Sequence, residues 1–216
     1  MADDIMFNIM KNDFNIVLSS SGYNDINNFV SEKSKKLFAQ IAKNKKIMIL
    51  ANAAPVNSGN YVARENVAEN FKKAGATKAD IIDLDDKNMD LIGDYDVIYG
   101  LGGDPALLIK LVNQTDFKKH FIDFLKNGIY IGESAGSMIM ADDLSWVYYV
   151  KKGSKPKYDI TLDTYKGLGL TKKLIFPHTN KEGEQMLARA QQYELDNDVS
   201  LTKLNDGEYI TELVLI

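Results

Sequence analysis

Short runs rich in isoleucine and valine alternate along this chain with stretches whose apolar residues recur at helical spacing. That alternation restricts the fold more than any other feature. Phe14–Ser19, Lys46–Ala51, Ala79–Leu84, Asp96–Tyr99 and Ile129–Ile131 are short, apolar and closed by Gly, Ser, Asn or Asp, which predicts buried strands. Between them, Phe29–Ala42 sets Phe29, Val30, Leu37, Phe38 and Ile41 on one stripe, and Tyr61–Ala74 does the same with Tyr61, Val67, Ala68 and Phe71. Gly75 follows the second stripe as a natural C-cap. Pro105–Val112 opens with proline at a first helical position, and Asp116–Lys126 runs from an acidic cap to Asn127-Gly128. Strand alternating with helix predicts a parallel sheet covered on both faces.

After Ala141 the texture changes. Trp146–Val150 reads as a strand, Lys151–Lys157 as a loop, Leu174–Phe176 as a strand and Lys181–Tyr193 as a helix. Leu201–Leu204 and Tyr209–Ile216 flank Asn205-Asp206-Gly207, the signature of a hairpin turn. The fold expected is α/β: a doubly wound, mostly parallel sheet with helices on both faces and antiparallel edge strands. With 216 residues, four prolines, no internal repeat and no Pro/Gly-rich linker, residues 1–216 read as one domain.

Composition removes several function classes. The net charge of −4 and the lack of a basic tract argue against nucleic acid as the main partner. No cysteine is present, which excludes disulfides, thiolate metal sites and a cysteine nucleophile. No apolar run approaches the roughly 18 residues of a membrane span, and Met1-Ala2-Asp3-Asp4 is acidic where a signal peptide is basic. A soluble cytoplasmic protein is expected, with no membrane partner; a homodimer is left open.

The chemistry is concentrated in Gly132-Glu133-Ser134-Ala135-Gly136, which follows the predicted strand Ile129–Ile131 and precedes a helix-compatible run. This is the G-x-S-x-G pattern in strand–turn–helix context, where glycines allow a sharp turn that lifts a serine hydroxyl above the sheet. The helix that follows offers free N–H groups to a developing oxyanion. Glu133 within the turn reads either as a polar gate or as a solvated side chain. Of the two histidines, His120 lies mid-helix among apolar positions and reads as structural. His178 follows a predicted strand and Pro177, on a loop stiffened by the proline, a position suited to a general base.

Gly100-Leu101-Gly102-Gly103-Asp104-Pro105 directly follows another predicted strand. It lacks the last glycine of a dinucleotide loop and the Gly-Lys-Ser/Thr of a P-loop, and Asp104 would repel phosphate. It reads either as a loop whose N–H groups complete an oxyanion hole or as a plain structural turn. Asp83, Asp85 and Asp86 form an acidic cluster without histidine support, read as a solvated loop rather than a metal site.

Together, Tyr99–Asp104 with Leu107-Leu108, Ile131–Gly136, and Gly167–Leu170 followed by Phe176-Pro177-His178 resemble the peptidase E and cyanophycinase family of serine peptidases, loosely from Ile16 to Gly207. The resemblance implies a fold like that of class I glutamine amidotransferase domains and a hydrolase of short peptides needing no metal or cofactor. It implies Ser134 as nucleophile, His178 as general acid/base, and an oxyanion and substrate-binding region at Gly103, Asp104 and Ala135. An esterase or amidase using the same serine, and a non-catalytic binding homologue, are the alternatives.

Two departures stand out. The family's acidic triad member falls about 15 to 18 residues after the serine, where this chain has Tyr149 and Lys152 but no carboxylate. Asp142, Asp143, Asp159 and Asp163 lie between Ser134 and His178; Asp159 is preferred, with a serine, a backbone carbonyl or water as other partners for the imidazole. Aspartyl-specific members also carry an arginine before a Glu-Gln pair, whereas here Gly183 precedes Glu184-Gln185 and the nearest arginine is Arg189. A bidentate partner for a substrate carboxylate is therefore not assured.

Overall fold

A computed structural model describes residues 14–23, 30–55, 61–152 and 160–216. In chain order they form β1 (Ile16–Ser19), α1 (Glu32–Ala42), β2 (Lys46–Leu50), α2 (Tyr61–Lys73), β3 (Lys78–Ile82), β4 (Val97–Gly100), α3 (Pro105–Gln114), α4 (Phe117–Leu125), β5 (Ile129–Glu133) and the short α5 (Ala135–Met138). Then come α6 (Ser145–Val150), β6 (Leu174–Phe176), α7 (Glu184–Asn197), β7 (Leu201–Lys203) and β8 (Tyr209–Glu212). Phe29, expected to open α1, lies outside the described residues.

The main sheet runs β3-β2-β4-β5-β1-β8. Its first five strands pair in parallel, and β8 closes the edge antiparallel to β1, with Val17 opposite Thr211. Side chains alternate across a strand, so one register serves two cores. Ile16, Leu18, Met48, Leu50, Ile98 and Tyr130 face the layer containing α3 to α6. Val17, Ile47, Ile49, Val97, Tyr99 and Ile131 face α1 and α2, meeting Phe38, Ile41 and Phe71. Each such side chain, fully buried, contributes about 1.5–3 kcal/mol. Burial on both faces explains why these strands read as unbroken apolar runs.

Caps fix the helix starts. Ser31 Oγ accepts the Ser34 N–H at 3.1 Å ahead of α1. Asp104 accepts the Ala106 N–H at 2.9 Å ahead of α3, with Pro105 in the first turn.

Two expectations fail in the C-terminal third. Trp146–Val150 is helical, because Trp146, Val147 and Val150 fall on one buried face at helical spacing. Tertiary packing overrides the strand preference of aromatic and β-branched residues here. Leu201–Lys203 and Tyr209–Glu212 do not form a hairpin either. β7 pairs in parallel with β6 in a separate two-stranded sheet, while β8 joins β1. The Asn205-Asp206-Gly207 turn therefore bridges two sheets instead of closing one ribbon.

Candidate active site

Parallel strands end together, and the ends of β1, β4 and β5 meet where Gly100 lies opposite Gly132 and Ser19 opposite Glu133. The chain then turns sharply at Ser134, with φ 49° and ψ −109°, into α5. A serine in that region is strained and persists only where its surroundings over-determine it. They do so here. Ser134 N–H donates to Ser19 O at 2.9 Å, and Ser137 Oγ lies 2.8 Å from the carbonyl oxygens of both Ser19 and Gly132. Gly132 is required, since a Cβ there would fall 2.7 Å from the Gly136 backbone.

β6 carries the chain to Pro177 and His178, whose own φ is 59°. The His178 N–H donates to Ser20 Oγ at 2.8 Å, fastening the residue to the end of β1. Its Nε2 lies 3.0 Å from Ser134 Oγ across 44 residues of sequence. On the far side, Nδ1 lies 2.5 Å from Asp206 Oδ1. A carboxylate can only accept, so Nδ1 carries the proton and Nε2 is left to accept the serine O–H.

Asp206 is held from several directions. Its side chain is 5% exposed, its Oδ2 contacts Lys181 Nζ, and its N–H donates to Asn180 Oδ1 at 2.9 Å. Next to it, Gly207 N–H donates to Ser21 Oγ and Gly207 O accepts from Ser31 and Ser34. Burial pushes the Asp206 carboxyl upward, but Lys181 and His178 outweigh it and hold it below the usual aspartate value.

The preferred sequence candidate, Asp159, lies outside the described residues. Asp143 is engaged with Ser145, Asp142 sits beside Gly169, and Asp163 is exposed. The carboxylate against the imidazole is Asp206, downstream of the histidine and outside the stretch between Ser134 and His178. Its one sequence signal, Asn-Asp-Gly, was absorbed by the hairpin reading.

Asp104 stands at the start of α3, where its carboxylate accepts the Ala106 N–H at 2.9 Å and its own N–H donates to Ala53 O at 2.9 Å. Gly103 and Ser134 both line a cleft of about 380 Å³, counted to its open mouth. Gly103 has φ 146°, and a Cβ there would fall 2.1 Å from Ala53 O. Ala135 is the first residue of α5, so its N–H has no carbonyl one turn earlier in the helix to bond.

The cleft wall is apolar, formed by Met138, Trp146, Val147 and Phe176, with Lys151 and Glu182 also among its lining residues. Arg189 does not line it; Nε donates to Val150 O at 2.7 Å instead. His120 lies apart, with Nδ1 3.8 Å from Asp90. Asp83 of the acidic cluster pairs with buried Arg64 at 2.5 Å. Among the described residues no group of His, Asp and Glu is arranged to hold a metal, and no helix is long and apolar enough to cross a membrane.

Known proteins share this arrangement of elements. A peptidase E-named protein of Listeria monocytogenes EGD-e superposes with a TM-score of 0.72 at 19% identity, covering 93% of this chain and 94% of its own. A peptidase from an acI-B1 Actinobacterium gives 0.62 at 14% identity, covering 92% and 82%. In sequence, the uncharacterized peptidase Lin0382 of Listeria innocua is 31% identical over 86 residues, which is 39% of this chain. The match spans only 40% of that relative's length. Peptidase family S51 matches residues 16–212, nearly the whole of the structure described above. The chain belongs to peptidase family S51, a family of serine peptidases.

Proposed function

We propose that this protein hydrolyses short peptides through an acyl-enzyme formed on Ser134, with His178 as general base and acid and Asp206 as the group that orients it. The observation that carries this reading is the 3.0 Å approach of His178 Nε2 to Ser134 Oγ on a strained turn. Ser134 Oγ attacks the scissile carbonyl carbon as its proton passes to Nε2, and the imidazolium is stabilised by Asp206. The C–N bond breaks as His178 returns the proton to the leaving amine. A water, deprotonated by His178, then attacks the ester and releases the acid. The N–H groups of Ala135 and Gly103 are the donors best placed to hold the negative oxygen.

Asp206 supports a catalytic over a merely binding role, because the non-catalytic alternative rested on a missing carboxylate. The cytoplasm as site of action belongs to the same reading; a cysteine-free chain draws nothing from an oxidising compartment. A fluorophosphonate probe tests the proposal. It labels the wild-type protein at Ser134, and Ser134→Ala abolishes both labelling and dipeptide turnover while leaving the melting curve intact. A folded wild-type protein that neither reacts nor turns over peptides refutes it.

A further inference from the structure

The residue just before the nucleophile plays no part in the reaction as described, yet it is mostly buried and carries a carboxyl group. Glu133 is not among the residues that line the cleft, and its carboxyl group lies in the gap between two chain segments. A Cβ on Gly22 would fall 2.1 Å from its carboxyl carbon, and one on Gly102 would fall 3.2 Å from its Oε1. Tyr99 Oη donates to Glu133 Oε2 at 3.0 Å, and the same Oη accepts the Tyr23 N–H at 2.7 Å. The Gly102 backbone makes a second hydrogen bond to the carboxylate. That same Cβ on Gly102 would lie 3.1 Å from Ser134 Cβ, so the bond ends where the loop is pressed against the nucleophile.

We propose that Glu133 is a positioning residue: its carboxylate ties the loop after β4 to the nucleophile strand and so fixes the Gly103 N–H beside Ser134. The inference rests on the reading of Ser134 as nucleophile and Gly103 as oxyanion donor. An oxyanion donor is useful only where it is held before charge develops, and Gly103 adjoins the residue that Glu133 grips.

The groups facing Glu133 are Tyr99 from β4, Gly22 and Tyr23 from the segment after β1, and Gly102 from the loop; Ser134 follows it, with His178 beyond. None of the groups that set its charge is a cation. Burial pushes its carboxyl up to about 7, against the opposing pull of the Tyr99 and Gly102 hydrogen bonds. The ionised form is the stronger acceptor, so the grip on Gly102 tightens as pH rises through neutrality.

The test is the second-order rate at which a fluorophosphonate phosphonylates Ser134, measured against pH. In that step the Oγ–P bond forms, fluoride leaves and His178 takes the proton, so no peptide substrate need be known. Glu133→Gln is expected to lower the plateau rate at least about tenfold, less than outright loss of an oxyanion donor, and to delete one ionisation near neutrality. Tyr99→Phe removes one donor to the carboxylate and is expected to move that ionisation to higher pH; this arm decides alone if Glu133→Gln fails to fold. A wild-type rate and profile in Glu133→Gln, or an unmoved profile in Tyr99→Phe, overturns the role of Glu133. A wild type unreactive at every pH overturns instead the underlying reading of Ser134.

Discussion

Tyr130 and Gly136 clamp Ser134 between them: the buried Tyr130 hydroxyl, on β5, donates to the Gly136 carbonyl at 2.7 Å, on the helix that follows. The bond spans the strained turn. Without it, the Gly136 carbonyl would be buried and unpaired. Tyr130→Phe is therefore expected to cost about 1–3 kcal/mol of unfolding free energy, read from urea titration. Serine labelling should slow as well, because the turn that presents Oγ loses its brace.

Asp206→Asn separates two readings of the acid. An amide opposite Nδ1 can turn its N–H₂ toward the ring and stabilise the wrong tautomer, leaving Nε2 protonated. A fall of about 10³–10⁴ in kcat is expected. Asp159→Asn is expected to leave the rate unchanged. Steady-state assays on both variants decide between them. A large loss in Asp159→Asn with activity retained in Asp206→Asn would reverse the assignment.

Glu133 also predicts a slope in stability. A carboxyl raised to about 7 in the folded protein binds a proton that the unfolded chain, near 4.5, has already released. Folding stability thus falls as pH rises from about 4.5 to 7, by at most about 3 kcal/mol for a shift of this size. Glu133→Gln should flatten that part of the curve and be relatively more stable at pH 8 than at pH 5. Denaturant midpoints at the two pH values give the comparison; parallel curves for wild type and variant would contradict it.

Arg189 is expected to matter to the frame and not to substrate choice. Its Nε donates to the Val150 carbonyl, joining α7 to the end of α6. Arg189→Met should lose about 1 kcal/mol of stability while the ratio of kcat/KM for acidic over neutral peptides stays constant. A selective loss on acidic peptides would assign the guanidinium to a substrate carboxylate after all.

The parallel core was legible because burial on both faces writes itself into runs such as Lys46-Ile47-Met48-Ile49-Leu50. Ser134 and His178, which the fold brings within 3.0 Å of each other, were legible as candidates because a strained turn needs its glycines and a stiff loop its proline. The failures have a common physical origin. Trp146–Val150 has the composition of a strand, and only its packing into the cleft wall makes it helical. Asp206 sits in a turn whose local chemistry suits a hairpin; nothing local tells that Leu201 will seek β6 while Tyr209 seeks β1. Glu133 was open between gate and surface because the partner that encloses it, Tyr99, belongs to a strand 34 residues earlier. Long-range pairing decided each case, and single-chain patterns do not encode it.

The bridge between the two sheets has a consequence for biosynthesis. A growing polypeptide that has emerged only through α7 already contains the serine and the histidine, but nothing stands behind the imidazole. The missing carboxylate is seated when the far end of the chain returns to lie along its beginning, Tyr209 beside Ser19. On the mechanism proposed above, a ribosome-bound fragment lacking this closing stitch would cleave peptides far more slowly than the finished fold.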